Sequence, residues 1–198
     1  ICPDFRCCGV PQIAAGDGAR AEANVRFNIE CLARLVEQGY DIVTTCSTCN
    51  LALRQYYPEL YPSPASRSVA ENTLDIFSYL LRDAGDLKLN LRPRRQSVRY
   101  HYPCHARYQR SGNSTLDLLR QIPQLEVDYA PMACCGAGGA HGFKRRYYES
   151  AQKQGAETLE FLKRVKPDAV VTDCPMCAHR IETDSGIKTV HPIEYFSD

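Results

Sequence analysis

An α/β fold built from two pseudo-repeated units is predicted by three features of the sequence. Two cysteine motifs recur in the same order. A helical stretch with one apolar stripe separates them each time, and a short apolar run leads into the second motif of each copy. Helices alternating with strands argue for short parallel or mixed sheets with flanking helices.

The repeat is explicit. Cys7-Cys8-Gly9 is followed 38 positions after Cys8 by Cys46-Ser47-Thr48-Cys49. Cys134-Cys135-Gly136 is followed 39 positions after Cys135 by Cys174-Pro175-Met176-Cys177. Asp41-Ile42-Val43-Thr44-Thr45 and Asp168-Ala169-Val170-Val171-Thr172-Asp173 read as buried strands that end at the cysteines. Val25, Ile29, Leu32 and Val36 mark the apolar face of a helix in the first copy. Ala151, Gly155, Leu159, Leu162 and Val165 do so in the second. Gly39 and Pro167 are the expected stops, and each Cys-x-x-Cys is expected to open a further helix.

The second copy carries an additional part. Val98 to Tyr102 reads as a strand, Pro103-Cys104-His105 follows, and Asn113 or Ser114 is a candidate cap for a helix through Leu116, Leu119 and Arg120. Cys104 lies 30 positions before Cys134, whereas the first copy has only six residues before Cys7, so its corresponding start is expected to be missing. Cys2 is a weak stand-in because its spacing is wrong. Tyr57 to Pro64 is expected to be a turn-rich connection, followed by a helix over 68–82 with Val69, Leu74, Phe77 and Leu81 inward. The arginines at 92, 94 and 95 read as a solvated face. The domain reading is a first cysteine-rich repeat at 1–64, a linker with a helix at 65–97, and a second repeat at 98–198.

Composition narrows the function. A net charge of +1 points to neither nucleic acid nor an anionic membrane surface. No apolar run is long enough to span a bilayer. Residues 1–6 lack the charged-then-apolar order of an export signal, so a cytoplasmic protein, docked at the inner face of a membrane through partners if at all, is expected. Eleven cysteines in 198 residues, two pairs of them adjacent, fit a disulfide scaffold poorly. Neighbouring cysteines rarely pair with each other, because the ring that closes strains the peptide. Clustered thiols in a reducing compartment are better read as metal ligands or redox groups.

Iron–sulfur clusters need thiolates held close together in a sheltered site. Strand ends beside helix N-termini suit them, since free N–H groups lower thiol pKa and favour anions. Gly136, Gly138, Gly139 and Gly142 would let backbone N–H groups approach sulfur. The same glycine run lacks the lysine–serine ending of a P-loop, so a phosphate cradle is disfavoured. Zinc is the stronger competitor: four of the five second-copy cysteines would bind it and one would be spare. A thiol–disulfide enzyme using Cys174 and Cys177 leaves Cys104 and the Cys134-Cys135 pair unused. His101 and His105 read as strand-end residues, and His141, His179 and His191 as structural. Cys31, between Phe27 and Leu35, reads as a buried, inert thiol. No residue is expected to do acid–base catalysis.

The two cysteine sets, the Tyr102-Pro103-Cys104-His105 segment and the ending Val190-His191-Pro192-Ile193-Glu194 resemble the cysteine-rich CCG domains. This family includes the CCG subunits of heterodisulfide reductase and of glycolate oxidase. Most similar is the C-terminal half of the CCG subunit of anaerobic glycerol-3-phosphate dehydrogenase. The resemblance implies a piece of a longer protein with an iron–sulfur cluster site in each repeat. The expected cluster is of the 4Fe–4S kind, in some relatives non-cubane. The second site would be Cys104, Cys134, Cys135, Cys174 and Cys177. The first would be Cys7, Cys8, Cys46 and Cys49. The resemblance further implies electron transfer from a partner flavoprotein dehydrogenase, of the glycerol 3-phosphate or hydroxy-acid type, towards quinone. Cluster-based disulfide reduction and a zinc-stabilised binding module are the alternatives.

Overall fold

The computed structural model describes residues 2–82, 91–130 and 133–196. The chain divides into two units, Ile1–Ile76 and Phe77–Asp198. Part of the expected linker, 83–90, lies outside the described residues.

In the first unit the Cys7-Cys8-Gly9 loop leads into α1 (Val10–Ala15) and then α2 (Gly18–Glu37), whose N-cap Asp17 accepts the Arg20 N–H. The inward stripe of α2, Val25, Ile29 and Leu32, packs with Ile42, Leu53 and Val69. At its end the Gly39 N–H donates to Val36 O and the Tyr40 N–H to Leu35 O. This double closure needs the left-handed φ of 87° at Gly39, which a residue with a Cβ adopts at a cost. The strand β1 (Ile42–Thr44) follows, then α3 (Ser47–Leu51), a π-helical turn (Ala52–Tyr56) and α4 (Tyr57–Leu60) in one continuous helix. Pro58 accounts for the π turn. It has no N–H to give and its ring crowds the carbonyl four residues back, so the register widens and the Tyr57 N–H reaches Ala52 O. Residues 57–60, expected in a turn-rich connection, are therefore helical.

The helix expected over 68–82 is broken into three pieces. It comprises α5 (Pro64–Glu71), β2 (Thr73–Asp75) and α6 (Ile76–Arg82). Asn72 donates to Ser68 O with both its backbone N–H and its Nδ2, and Thr73 Oγ1 donates to Val69 O, the carbonyl that the Thr73 N–H would use in a continuing helix. The released backbone pairs in parallel with β1, Val43 opposite Leu74.

The second unit holds a four-stranded sheet, all parallel, in the order β4-β3-β5-β6. Its strands are β3 (Gln96–Tyr100), β4 (Leu125–Tyr129), β5 (Ala169–Val171) and β6 (Thr189–Val190). Its helices are α7 (Cys104–Gln109), α8 (Gly112–Leu119), α9 (Tyr148–Val165) and α10 (Pro175–Ser185). The N-cap of α8 is Ser111, and Asn113 and Ser114 lie inside the helix rather than capping it. Alternate residues of β5 face opposite layers. Ala169 and Val171 pack with Ala106, Leu116 and Leu119, while Val170 packs with Leu162 and Ile181. Helices on both faces explain why every residue of β5 is buried. Phe77 of α6 packs in this unit, its ring 6.3 Å from His191 and 6.0 Å from Phe196.

The chain runs from β3 outward to β4, then returns to place β5 on the other side of β3. The sheet therefore reverses its winding between β3 and β5, and such switch points open a crevice at the carboxyl ends of the strands. Asp168 anchors this junction. Its Oδ2 accepts the Ser97 N–H at 2.7 Å, while its own N–H donates to Ser97 O at 2.9 Å. Asp168→Ala is expected to cost about 1.5–3 kcal/mol, the scale for a hydrogen bond to a charged group. The check is a lower urea midpoint with an unchanged denaturant slope.

Candidate metal centre

Both crevice strands deliver cysteines. β3 continues through His101 and Tyr102 to Cys104, the first residue of α7, and β5 continues through Thr172 and Asp173 to Cys174, the N-cap of α10. Cys177 sits in the first turn of α10. The Cys134-Cys135 loop comes in from the end of β4. Cys135, Cys174 and Cys177 are buried in the same apolar cluster as Leu162, Val170 and Ile181, whereas Cys104 is exposed. Cys135 Sγ lies 3.1 Å from Cys177 Sγ. Cys134 and Cys174 interact with the same pair, and Cys104 feels the fields of Cys135 and Cys174.

This crowding polarises the thiols. Cys135 is driven far below the ordinary thiol range, chiefly by the Cys134 thiol, then by that of Cys177, with His101 adding to it. Cys134 and Cys177 are pushed up, first by the same Cys135. Burial pushes Cys104 up. The Gly136 N–H donates to Cys134 Sγ at 3.3 Å and the Ala137 N–H to Cys135 Sγ at 3.4 Å. Backbone amides aimed at sulfur favour an anionic ligand.

Three glycines let the loop close. A Cβ on Gly136 would stand 2.2 Å from Ala151 O, one on Gly155 2.6 Å from Cys135 O, and one on Gly142 2.4 Å from Gly136 O. The cysteine loop thus lies directly on the backbone of α9. Thr158 of the same helix donates from Oγ1 to Cys134 O.

The first unit repeats this arrangement. Cys46 is the N-cap of α3, with φ −119° and ψ 120°, and Cys174 has φ −120° and ψ 111°. Cys49 follows in the first turn. Cys8 is buried and Cys7 exposed. Cys8 is lowered to about 7, chiefly by Cys49, with Cys7 also acting on it. Cys46 is lowered to about 6, again by Cys49 and then by the backbone amides of Cys49 and Thr48, while Cys49 is pushed up by both partners. Fully buried Asn28 of α2 clamps this loop: its Oδ1 accepts the Arg6 N–H, and its Nδ2 donates to Arg6 O and Tyr57 Oη. It does for the first loop what Thr158 does for the second.

Cys2 and Cys31 behave otherwise. Cys31 is half-buried rather than enclosed, and Cys2 Sγ lies 3.1 Å from its sulfur, so Cys31 is not the isolated core thiol expected. His101 lies just past the end of β3, as expected of a strand-end residue, but it is also enclosed among the thiols. It is 1% exposed, and its ring nitrogen, Cys135 Sγ and Cys177 Sγ all lie within 4.8 Å of one another. The available signal was its position at the end of β3, three residues before Cys104. Asn28 and Thr158 were missed as well, since a polar residue on a helix has no spacing that marks it as a clamp.

The cysteine-rich domain of the CCG family matches residues 2–54 and 98–182, covering most of both units. The chain belongs to the CCG cysteine-rich domain family. This CCG protein is 35% identical over 190 residues to a subunit of the anaerobic glycerol-3-phosphate dehydrogenase of Escherichia coli (strain K12), which takes in 95% of the chain and 48% of the relative. It is 34% identical over 180 residues to a subunit of the fumarate reductase (CoM/CoB) of Methanothermobacter marburgensis, covering 89% of the chain and 34% of the relative. It is 30% identical over 176 residues to an uncharacterized iron–sulfur protein of Methanocaldococcus jannaschii, covering 88% and 33%. The chain thus spans half or less of the length of these relatives. No helix among the described residues is long and apolar enough to cross a membrane.

Gly155→Ala is expected to displace the Cys135 carbonyl at a cost of about 1–3 kcal/mol, seen as a lower urea midpoint. In the reduced, metal-free chain, Cys46 should be alkylated before Cys49 at neutral pH. The Cys46 rate should fall as pH drops through about 6, because its thiolate is then protonated. Peptide mapping that finds the two labelled equally would contradict this ordering.

Proposed function

We propose that this chain is an iron–sulfur electron-transfer subunit with one cluster site in each unit. The second site is Cys104, Cys134, Cys135, Cys174 and Cys177, and the first is Cys7, Cys8, Cys46 and Cys49. The observation that carries this reading is the clustering of Cys134, Cys135, Cys174 and Cys177 at the switch point of the second sheet, with Cys104 opening α7 at the end of the neighbouring strand. Three of them are buried in an apolar cluster, and backbone N–H groups point at two of the sulfurs. A donor set of crowded thiols, some pushed up and one driven down by its neighbours, suits an acceptor that takes all of them as thiolates. A bound cluster would supply one-electron redox chemistry. The residues around it would hold it, exclude water through the packing of Leu162, Val170 and Ile181, and set its potential through amide hydrogen bonds to sulfur.

One relative is a subunit of anaerobic glycerol-3-phosphate dehydrogenase, which supports a dehydrogenase as partner. A flavoprotein dehydrogenase acting on glycerol 3-phosphate or a similar hydroxy acid would supply the electrons, and a quinone-linked acceptor would receive them. The relative that is a subunit of fumarate reductase (CoM/CoB) favours a second reading, in which the chain serves a reductase; cluster-based disulfide reduction is the form of that reading suggested by the cysteine sets.

Anaerobic purification and cluster reconstitution, followed by elemental analysis, tests the proposal. About four irons per complete site, with matching sulfide, are expected. Cys104→Ala should lower iron in the second site. Zinc near one per chain without iron would overturn the cluster reading in favour of a zinc-stabilised module. Disulfide reductase activity lost in Cys104→Ala would move the function to the second reading.

A further inference from the structure

The alternation of β3 continues past its last ladder residue. Tyr100 and Tyr102 enter the apolar layer formed with α7 and α8, their rings 5.8 Å apart. The His101 N–H donates to Val171 O, so the extended backbone is held at this residue. With the period of two, the His101 side chain turns to the opposite face, where Cys135, Cys174 and Cys177 are packed. The imidazole is enclosed there, and its Nδ1 has no hydrogen-bond partner in the protein. A buried polar atom left in this way is destabilising, so the enclosure of this ring calls for a reason beyond packing. The groups gathered around the ring are thiols, with Cys135 and Cys177 sulfurs inside a 4.8 Å span that includes the ring nitrogen.

We propose that His101 is a positioning and tuning residue of the second cluster site, its imidazole N–H donating a hydrogen bond to the sulfur of Cys135 when that sulfur is a cluster ligand. The inference rests on the cluster reading above. Five thiols already complete the ligand set, which leaves the imidazole the part of a donor rather than a sixth ligand. A hydrogen bond to a ligand sulfur stabilises the more negative, reduced cluster most, so it raises the reduction potential. Its loss is therefore expected to shift the potential to a more negative value.

The test uses the reconstituted full chain and follows each cluster by EPR-monitored redox titration. His101→Leu is expected to keep the iron and sulfide content of the unaltered protein while one cluster's midpoint moves to a more negative value. His101→Gln, which retains an N–H donor, is expected to recover part of that shift. A second measurement needs no variant: pulsed EPR of the unaltered protein labelled with ¹⁵N-histidine. A weak nitrogen coupling, of the size transmitted through a hydrogen bond to sulfur, is expected. A strong coupling would make His101 an iron ligand, and no coupling would remove it from the site; each overturns the proposal. Unchanged midpoints in His101→Leu overturn it too, while leaving the cluster reading intact. An unaltered protein that takes up no iron overturns both.

Discussion

The structure of the second unit depends on how the sulfurs of Cys134, Cys135, Cys174 and Cys177 are packed at the end of a buried parallel sheet. Thiols this close cannot all ionise in an apolar surrounding, because like charges in a low dielectric repel strongly. Instead Cys134 and Cys177 drive Cys135 down from the ordinary thiol range, and Cys135 in turn pushes both of them up. Everything around the crevice serves that arrangement. The sheet has helices on both faces, so the crevice has apolar walls. The switch between β3 and β5 separates the two helices that begin at Cys104 and after Cys174, which leaves room for the loop carrying Cys134 and Cys135.

That loop is held by backbone rather than by large side chains. Gly136 and Gly155 permit atom-to-atom approach between the loop and α9, and Gly142 lets the loop fold closely on its own backbone, so the loop's position is fixed by the helix axis. A loop positioned this way keeps its sulfurs in place without contributing bulk to the site. The same economy recurs in the first unit, where Gly9 takes a left-handed φ of 90° before α1 and a Cβ there would stand 3.1 Å from Val25.

Comparing the units shows which parts are shared. Both have a cysteine loop, a long helix with an inward stripe, a short strand, and a helix entered through a cysteine N-cap. Both also place a parallel strand beside the one that leads into that cysteine, β2 in one and β6 in the other. Among the described residues of the first unit no strand corresponds to β3 or β4. The clamp differs in chemistry, Asn28 in one unit and Thr158 in the other, but both act on carbonyls of the cysteine loop.

By itself the sequence determined the repeat, the α/β class, the long helices, the strands that lead into Cys46 and Cys174, and the family, because each rests on local periodicity or on motif spacing. Tertiary structure decided the rest. Strands β2 and β4 exist because distant partners offer a parallel ladder, and no local pattern distinguishes Thr73–Asp75 from a helical continuation. The Cys2–Cys31 contact joins residues 29 apart, and His101 reaches the thiols only because β3 and β5 lie side by side. Which polar side chain is buried beside which sulfur is set by the packing of elements far apart in the chain, and spacing along the chain carries no record of it.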